Sequence, residues 1–125
     1  MADKEKPFDE IMSGLLHKQL YIAVTEPLGG PGMADKLQEH IMGQIDLERR
    51  NILFGAGPLQ DEDKDKPTRG MFIIRAASFE DARAILDQDA FHKAGLRTYK
   101  LYRWNLNEGS ISLTVNYSDQ TVKIT

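Results

Sequence analysis

The stretch that most restricts this chain is Ala34 to Pro58, where two periodicities meet across a single break. Ala34, Leu37, Ile41 and Ile45 recur at helical spacing, so an amphipathic helix is predicted over 34–50. Arg49 and Arg50 suit the negative end of its dipole, and Asn51 is a fitting C-terminal cap. Ile52 to Ala56 then reads as a buried strand, stopped by Gly57-Pro58. A helix that turns straight into a strand must lie back over a sheet, and the rest of the chain supplies one.

Leu20 to Thr25 is rich in β-branched and aromatic residues and is predicted as a strand. Gly70 to Arg75 reads as a third strand. Ser78 caps a second helix, with Asp81 at the third helical position in capping-box style. Asp87-Gln88-Asp89 ends that helix, Phe91 and His92 fall in a turn, and Gly95 marks another turn. Arg97 to Trp104 alternates, with Thr98, Lys100, Tyr102 and Trp104 on one side and Tyr99, Leu101 and Arg103 on the other.

The order is strand, helix, strand, strand, helix, strand. This is the split βαβ arrangement of ferredoxin-like α+β folds, an antiparallel four-stranded sheet with both helices on one face. Outside this core, Phe8 to Leu16 fits a short amphipathic helix weakened by Gly14, and residues 1–7 are expected to be unstructured. Ser110 to Tyr117 and Gln120 to Thr125 form a predicted hairpin joined at Ser118-Asp119, expected to extend the sheet or brace an oligomer contact. The expectation is one domain over residues 1–125, with its core over about 18–105.

Composition excludes several functions. There is no cysteine, hence no disulfide framework, thiolate metal site or cysteine nucleophile. The net charge is −3 with both signs interspersed, which lacks the basic stripe of a nucleic-acid binder. No apolar run approaches a membrane span, and a cytoplasmic protein is expected. Gly29-Gly30-Pro31-Gly32 lacks the spacing of a phosphate or dinucleotide loop and reads as a flexible connection or a lid. The alternating acids of Asp61 to Asp65 fail as a calcium loop, because Lys66 and Phe72 stand where the loop glycine and bidentate glutamate belong. They read as a solvated loop. No cofactor motif is present, and no spacing brings His17, His40 and His92 together as metal ligands.

Folding puts chemistry where the sequence does not. Two antiparallel helices bring the start of the first beside the end of the second, so His40 and Asp89 converge although 49 positions separate them. A carboxylate on one imidazole nitrogen fixes the tautomer and leaves the other nitrogen free to act as a base. His40 is the candidate general base and Asp89 its orienter. Phe54, Gly57 and Pro58 at the end of the second strand, with Phe91, are expected to line an apolar pocket beside them. The bland alternative is that His40 merely rims a polar cavity and Asp89 terminates a helix.

His40 upstream of Gly55-Ala56-Gly57-Pro58, the Ser78-capped helix, Asp89-Ala90-Phe91 and Trp104 form an ordered set that resembles the YCII-related family over about residues 18 to 105. The family usually has Asp-Pro-Phe where this chain has Asp89-Ala90-Phe91. The resemblance implies two sheets packed face to face as a dimeric α/β barrel, with Tyr99, Tyr102 and Trp104 at the interface or the pocket wall. It also implies kinship to small dehydrochlorinases, lyases and muconolactone isomerases. Two functions follow as expectations. One is a homodimeric, cofactor-independent lyase or isomerase acting on a hydroxylated aromatic or lactone-like small molecule. The other is a non-catalytic dimer that binds a small ligand or serves as an accessory protein.

Overall fold

A computed structural model describes residues 6–125. The expectation of an unstructured start over 1–7 falls largely outside these residues. Gln19–Asn105 form one compact unit, and the flanking segments that end at Lys18 and begin at Leu106 form a second.

The first unit holds four strands and three helices: β1 (Lys18–Pro27), α2 (Met33–Arg49), β2 (Leu53–Leu59), β3 (Arg69–Ile74), α3 (Phe79–Leu86), α4 (Ala90–Lys93) and β4 (Arg97–Leu106), while α1 (Phe8–Ser13) belongs to the other unit. The sheet order is β2-β3-β1-β4, the ferredoxin-like arrangement. β1 and β3 pair antiparallel in a register of Tyr21 opposite Ile74 and Ala23 opposite Phe72. Residues directly opposite share a face, so these four side chains point the same way. α3 lays Ala82 and Leu86 onto them, and the six form the core. Arg103 closes one end, its Nε donating to the Tyr21 hydroxyl at 3.2 Å and its guanidinium lying 4.8 Å from the Phe79 ring centre.

α2 lies on the same face but packs differently from its pattern. None of its residues is fully buried, and Leu37 and Ile41 of the predicted core stripe are largely exposed. They instead wall a cavity described below. β2 also departs from expectation, running on through Gly57 and Pro58, which pair with Met71 and Gly70. β2 is an edge strand, and an edge tolerates a residue with no N–H to donate. The register slips between Leu53 and Gly55; this bulge places an extra residue, Phe54, on the strand.

α3 begins as read: the Ser78 hydroxyl accepts from Asp81 N–H at 3.0 Å, while the Asp81 carboxylate accepts from Ala77 N–H at 2.9 Å. The segment after it differs, because Ala90–Lys93 is a short helix where a plain turn was expected. The sheet face away from the helices carries Phe54 against Trp104, edge to face at 6.2 Å.

In the second unit, α1 (Phe8–Ser13) stops at Gly14, short of Leu15 and Leu16. β5 (Leu113–Val115) and β6 (Val122–Ile124) pair as the predicted hairpin, with Leu113 opposite Ile124. They make a two-stranded sheet of their own and do not extend the four-stranded one. Asp119 shapes the turn by accepting from both the N–H and the hydroxyl of Thr121, which holds its carboxyl below the ordinary range.

Candidate active site

His40 stands about two turns into α2 rather than at its start. Asp89 follows α3 and caps α4. Their side chains meet: His40 Nδ1 lies 2.6 Å from Asp89 Oδ1, with the imidazole 14% and the carboxylate 9% exposed. The second oxygen, Oδ2, accepts from Phe91 N–H at 3.0 Å. One carboxylate therefore does two jobs, since the bond that caps α4 also fixes the plane in which the other oxygen faces His40. The cap pulls Phe91 inward, where it is buried and stacks on the imidazole at 4.3 Å and 21°. Phe72 flanks the same ring at 5.8 Å. The imidazole is thus held by one polar bond and two aromatic faces.

With Nδ1–H donated to Asp89, Nε2 is the nitrogen that carries a lone pair. Among the described residues nothing bonds to it, and His40 lines a cavity of about 400 Å³, within the usual range for small-molecule sites. Asp89, Phe91, Gly57 and Pro58 line the same cavity. Phe54 does not. It lines a neighbouring cavity with Ile41 and Gln44, and its ring meets Trp104 and the Arg75 guanidinium, 5.3 Å from its centre. Residues 28–32 of the Gly-rich loop are likewise absent from the lining. Among the described residues no cluster of three or more metal-ligating side chains occurs, and no helix is long and apolar enough to cross a membrane.

Three polar lining residues escape a reading of local motifs. His92 presses its Nδ1 to the Leu86 carbonyl oxygen at 2.6 Å and lies edge-on to Phe72 at 5.9 Å. Thr25 is buried at the end of β1. Arg97, at the start of β4, donates from Nε to the Thr25 hydroxyl at 3.2 Å. A signal for Arg97 existed in the alternation of β4. Arg97 shares its parity with Tyr99 and Leu101, which pack on the core, and a cation on the inward side of a strand needs a reason to be there.

The YCII-related domain model matches residues 21–105. The chain belongs to the YCII-related domain family. No curated protein matches it. Among solved structures, this YCII-related protein is similar to 5-chloro-2-hydroxyhydroquinone dehydrochlorinase (TftG) from Burkholderia phenoliruptrix AC1100, in complex with 2,5-dihydroxybenzoquinone. The likeness has a TM-score of 0.58 at 20% identity and covers 69% of this chain and 93% of that one. At that identity the likeness speaks for the fold.

Proposed function

We propose that this YCII-related protein is a cofactor-independent small-molecule lyase or isomerase in which His40 is the general base and Asp89 its orienter. What supports the reading is the 2.6 Å contact between Asp89 and Nδ1 beside a cavity that His40 itself lines. In the reaction, His40 Nε2 takes a proton from a hydroxyl or an activated C–H of the substrate. The electron pair left behind forms a new π bond. In an elimination from a C–H, a leaving group departs with its own pair from the adjacent carbon; from a hydroxyl, the new C=O pushes the conjugated π pair along the ring to the carbon that expels the leaving group. In an isomerisation, the imidazolium returns its proton to a different carbon. Asp89 stays ionised and stabilises the imidazolium during its short life. Phe91 and Phe72 keep the ring in one orientation and give an aromatic substrate a flat surface to stack on.

The fold shared with a dehydrochlorinase makes hydroxylated aromatics and quinols the first compounds to test, with lactones second. We also propose a homodimer, because Phe54 and Tyr102 leave an apolar patch on the sheet face away from the helices, 41% and 44% exposed.

The test is a panel of chlorinated and hydroxylated quinols and of lactones, read by chloride release and by deuterium uptake from solvent. Turnover of one compound that His40→Ala and Asp89→Asn each lower at least about a hundred-fold is expected. Turnover that both substitutions leave at the wild-type rate overturns the mechanism. A compound that binds wild-type protein with neither exchange nor turnover makes the cavity a binding site only.

A further inference from the structure

Two arginines line the cavity, and they are not equivalent. Arg69 is ion-paired with Asp61 at 2.7 Å, and that hydrogen bond raises its pKa further. Its charge is spent within the protein. Arg97 has no carboxylate within ion-pair distance among the described residues. Its contacts are neutral: Nε to the Thr25 hydroxyl at 3.2 Å, and one terminal nitrogen to the carbonyls of Thr25 and Thr68 at 3.4 and 3.3 Å. The other terminal nitrogen makes no bond to any described residue. Burial lowers the Arg97 pKa, while the more distant Asp89 charge raises it. A guanidinium has five donors in a fixed plane, and a partly desolvated one without an anion is costly unless a ligand supplies the anion.

The fold is built around that cation. Thr25 is buried at the end of β1, and its hydroxyl fixes the Arg97 fork. Room for the hydroxyl comes from Gly70, where a Cβ would come within 2.9 Å of Thr25 Oγ1. Three positions distant in sequence therefore aim one cation into a cavity whose base is on α2.

We infer that Arg97 anchors an anionic oxygen of the substrate, so the compound His40 acts on is a small ring molecule that enters already carrying one ionised acidic oxygen. This rests on the cavity being the substrate site proposed above. Arg97 is a positioning residue for the ring. It also offers a cation for the charge that grows on oxygen as His40 removes a proton, which is worth most where water is excluded.

The probe is 2,5-dihydroxybenzoquinone, a vinylogous acid that is ionised in neutral water, set against the uncharged 2,5-dimethoxybenzoquinone. Calorimetric Kd values are measured for wild type, Arg97→Gln, Arg97→Lys and His40→Asn, with thermal melts to verify folding. The expected result is a Kd for the anion weakened roughly ten- to hundred-fold in Arg97→Gln. Partial recovery in Arg97→Lys and an unchanged Kd for the dimethoxy compound are also expected. In wild type, added salt weakens the anion alone. If Arg97→Gln unfolds, Arg97→Lys and the salt dependence of wild type decide. An anion Kd that ignores both charge and salt, an equal loss for both quinones, or no binding of either by wild type overturns the assignment. Arg97-dependent binding with no proton exchange on any substrate sinks the reaction and leaves the anion site standing. Exchange lost in His40→Asn, beside an anion Kd untouched by Arg97→Gln, does the reverse.

Discussion

Asp89→Asn is the most informative single change at the site, because the cap and the orienter share one side chain. An amide at position 89 has one acceptor and one donor in place of two acceptors. Phe91 N–H demands the acceptor, so the amide NH₂ is turned toward His40 Nδ1. That inverts the tautomer: Nδ1 becomes the acceptor, Nε2 keeps the proton, and the base is lost although the ring has not moved. Turnover is expected to fall by about 10²–10⁴-fold, with folding preserved and the ring-nitrogen NMR shifts of His40 exchanged. Shifts identical to wild type would show that Asp89 does not choose the tautomer. Tyr99 gives a second prediction. Burial, followed by its hydroxyl bond to Asp87 at 2.7 Å, pushes this phenol from 10.0 up to about 12. The folded state thus holds the proton more tightly than the unfolded chain does. The associated stability is complete below pH 10 and disappears as pH climbs toward about 12. Phenolate absorbance is expected to show a phenol still protonated above pH 10 that Tyr99→Phe removes, and the same substitution should flatten the stability curve in that window.

At the scale of elements, the short helix α4 decides how the site is held, and its first residue offers a clean test. Asp89 has φ −60° and ψ 140°, the conformation a residue must adopt before proline. Ala90 is the first helical residue, where proline is pre-organised and no helical N–H bond is lost. Ala90→Pro is therefore expected to stabilise the fold by about 0.4–1 kcal/mol through the unfolded chain, read as a rise in Tm with activity retained. A fall in Tm would mean that the cap geometry differs from the one described. α4 also marks where the sequence stopped being legible. Four residues carry no periodicity, so it read as a turn, although its capping aspartate was singled out for chemistry. The element order and the starts of α2 and α3 were readable because patterning and the Ser78 cap are local. β2 running through Pro58 was not, since that depends on being an edge strand, a property of the whole sheet. Phe54 stands outside the lining of the His40 cavity for a related reason, because a bulge shifts register without changing composition. Arg97 and Thr25 were missed because their partnership spans 72 positions; only the inward parity of an arginine on β4 hinted at it.

Among the described residues, large apolar side chains stand exposed on both units. On the four-stranded sheet, Phe54 and Tyr102 stand out from the face opposite the helices. On the hairpin, Leu113, Val115, Val122 and Ile124 are all exposed, and their pairing puts Leu113 beside Ile124 and Val115 beside Val122. An isolated two-stranded hairpin is marginal in water, so its persistence calls for a cover. A stable protein interface buries at least about 1,200 Å² in total, more than a two-residue patch supplies. We therefore expect both surfaces to be covered in a homodimer. Phe54→Asp with Tyr102→Asp places two charges in the centre of such an interface, where an unpaired buried charge is strongly destabilising. The expected product is a monomer by light scattering at every concentration tested. Leu113→Asp with Ile124→Asp removes the hairpin's share and should give a mass that falls on dilution. If the sheet-face pair leaves the dimer mass intact and the hairpin pair abolishes it, the hairpin is the principal contact and the sheet face is not. Wild-type protein that is monomeric at high concentration would remove the dimer from the proposal while leaving the His40–Asp89 pair, whose two side chains meet within one chain.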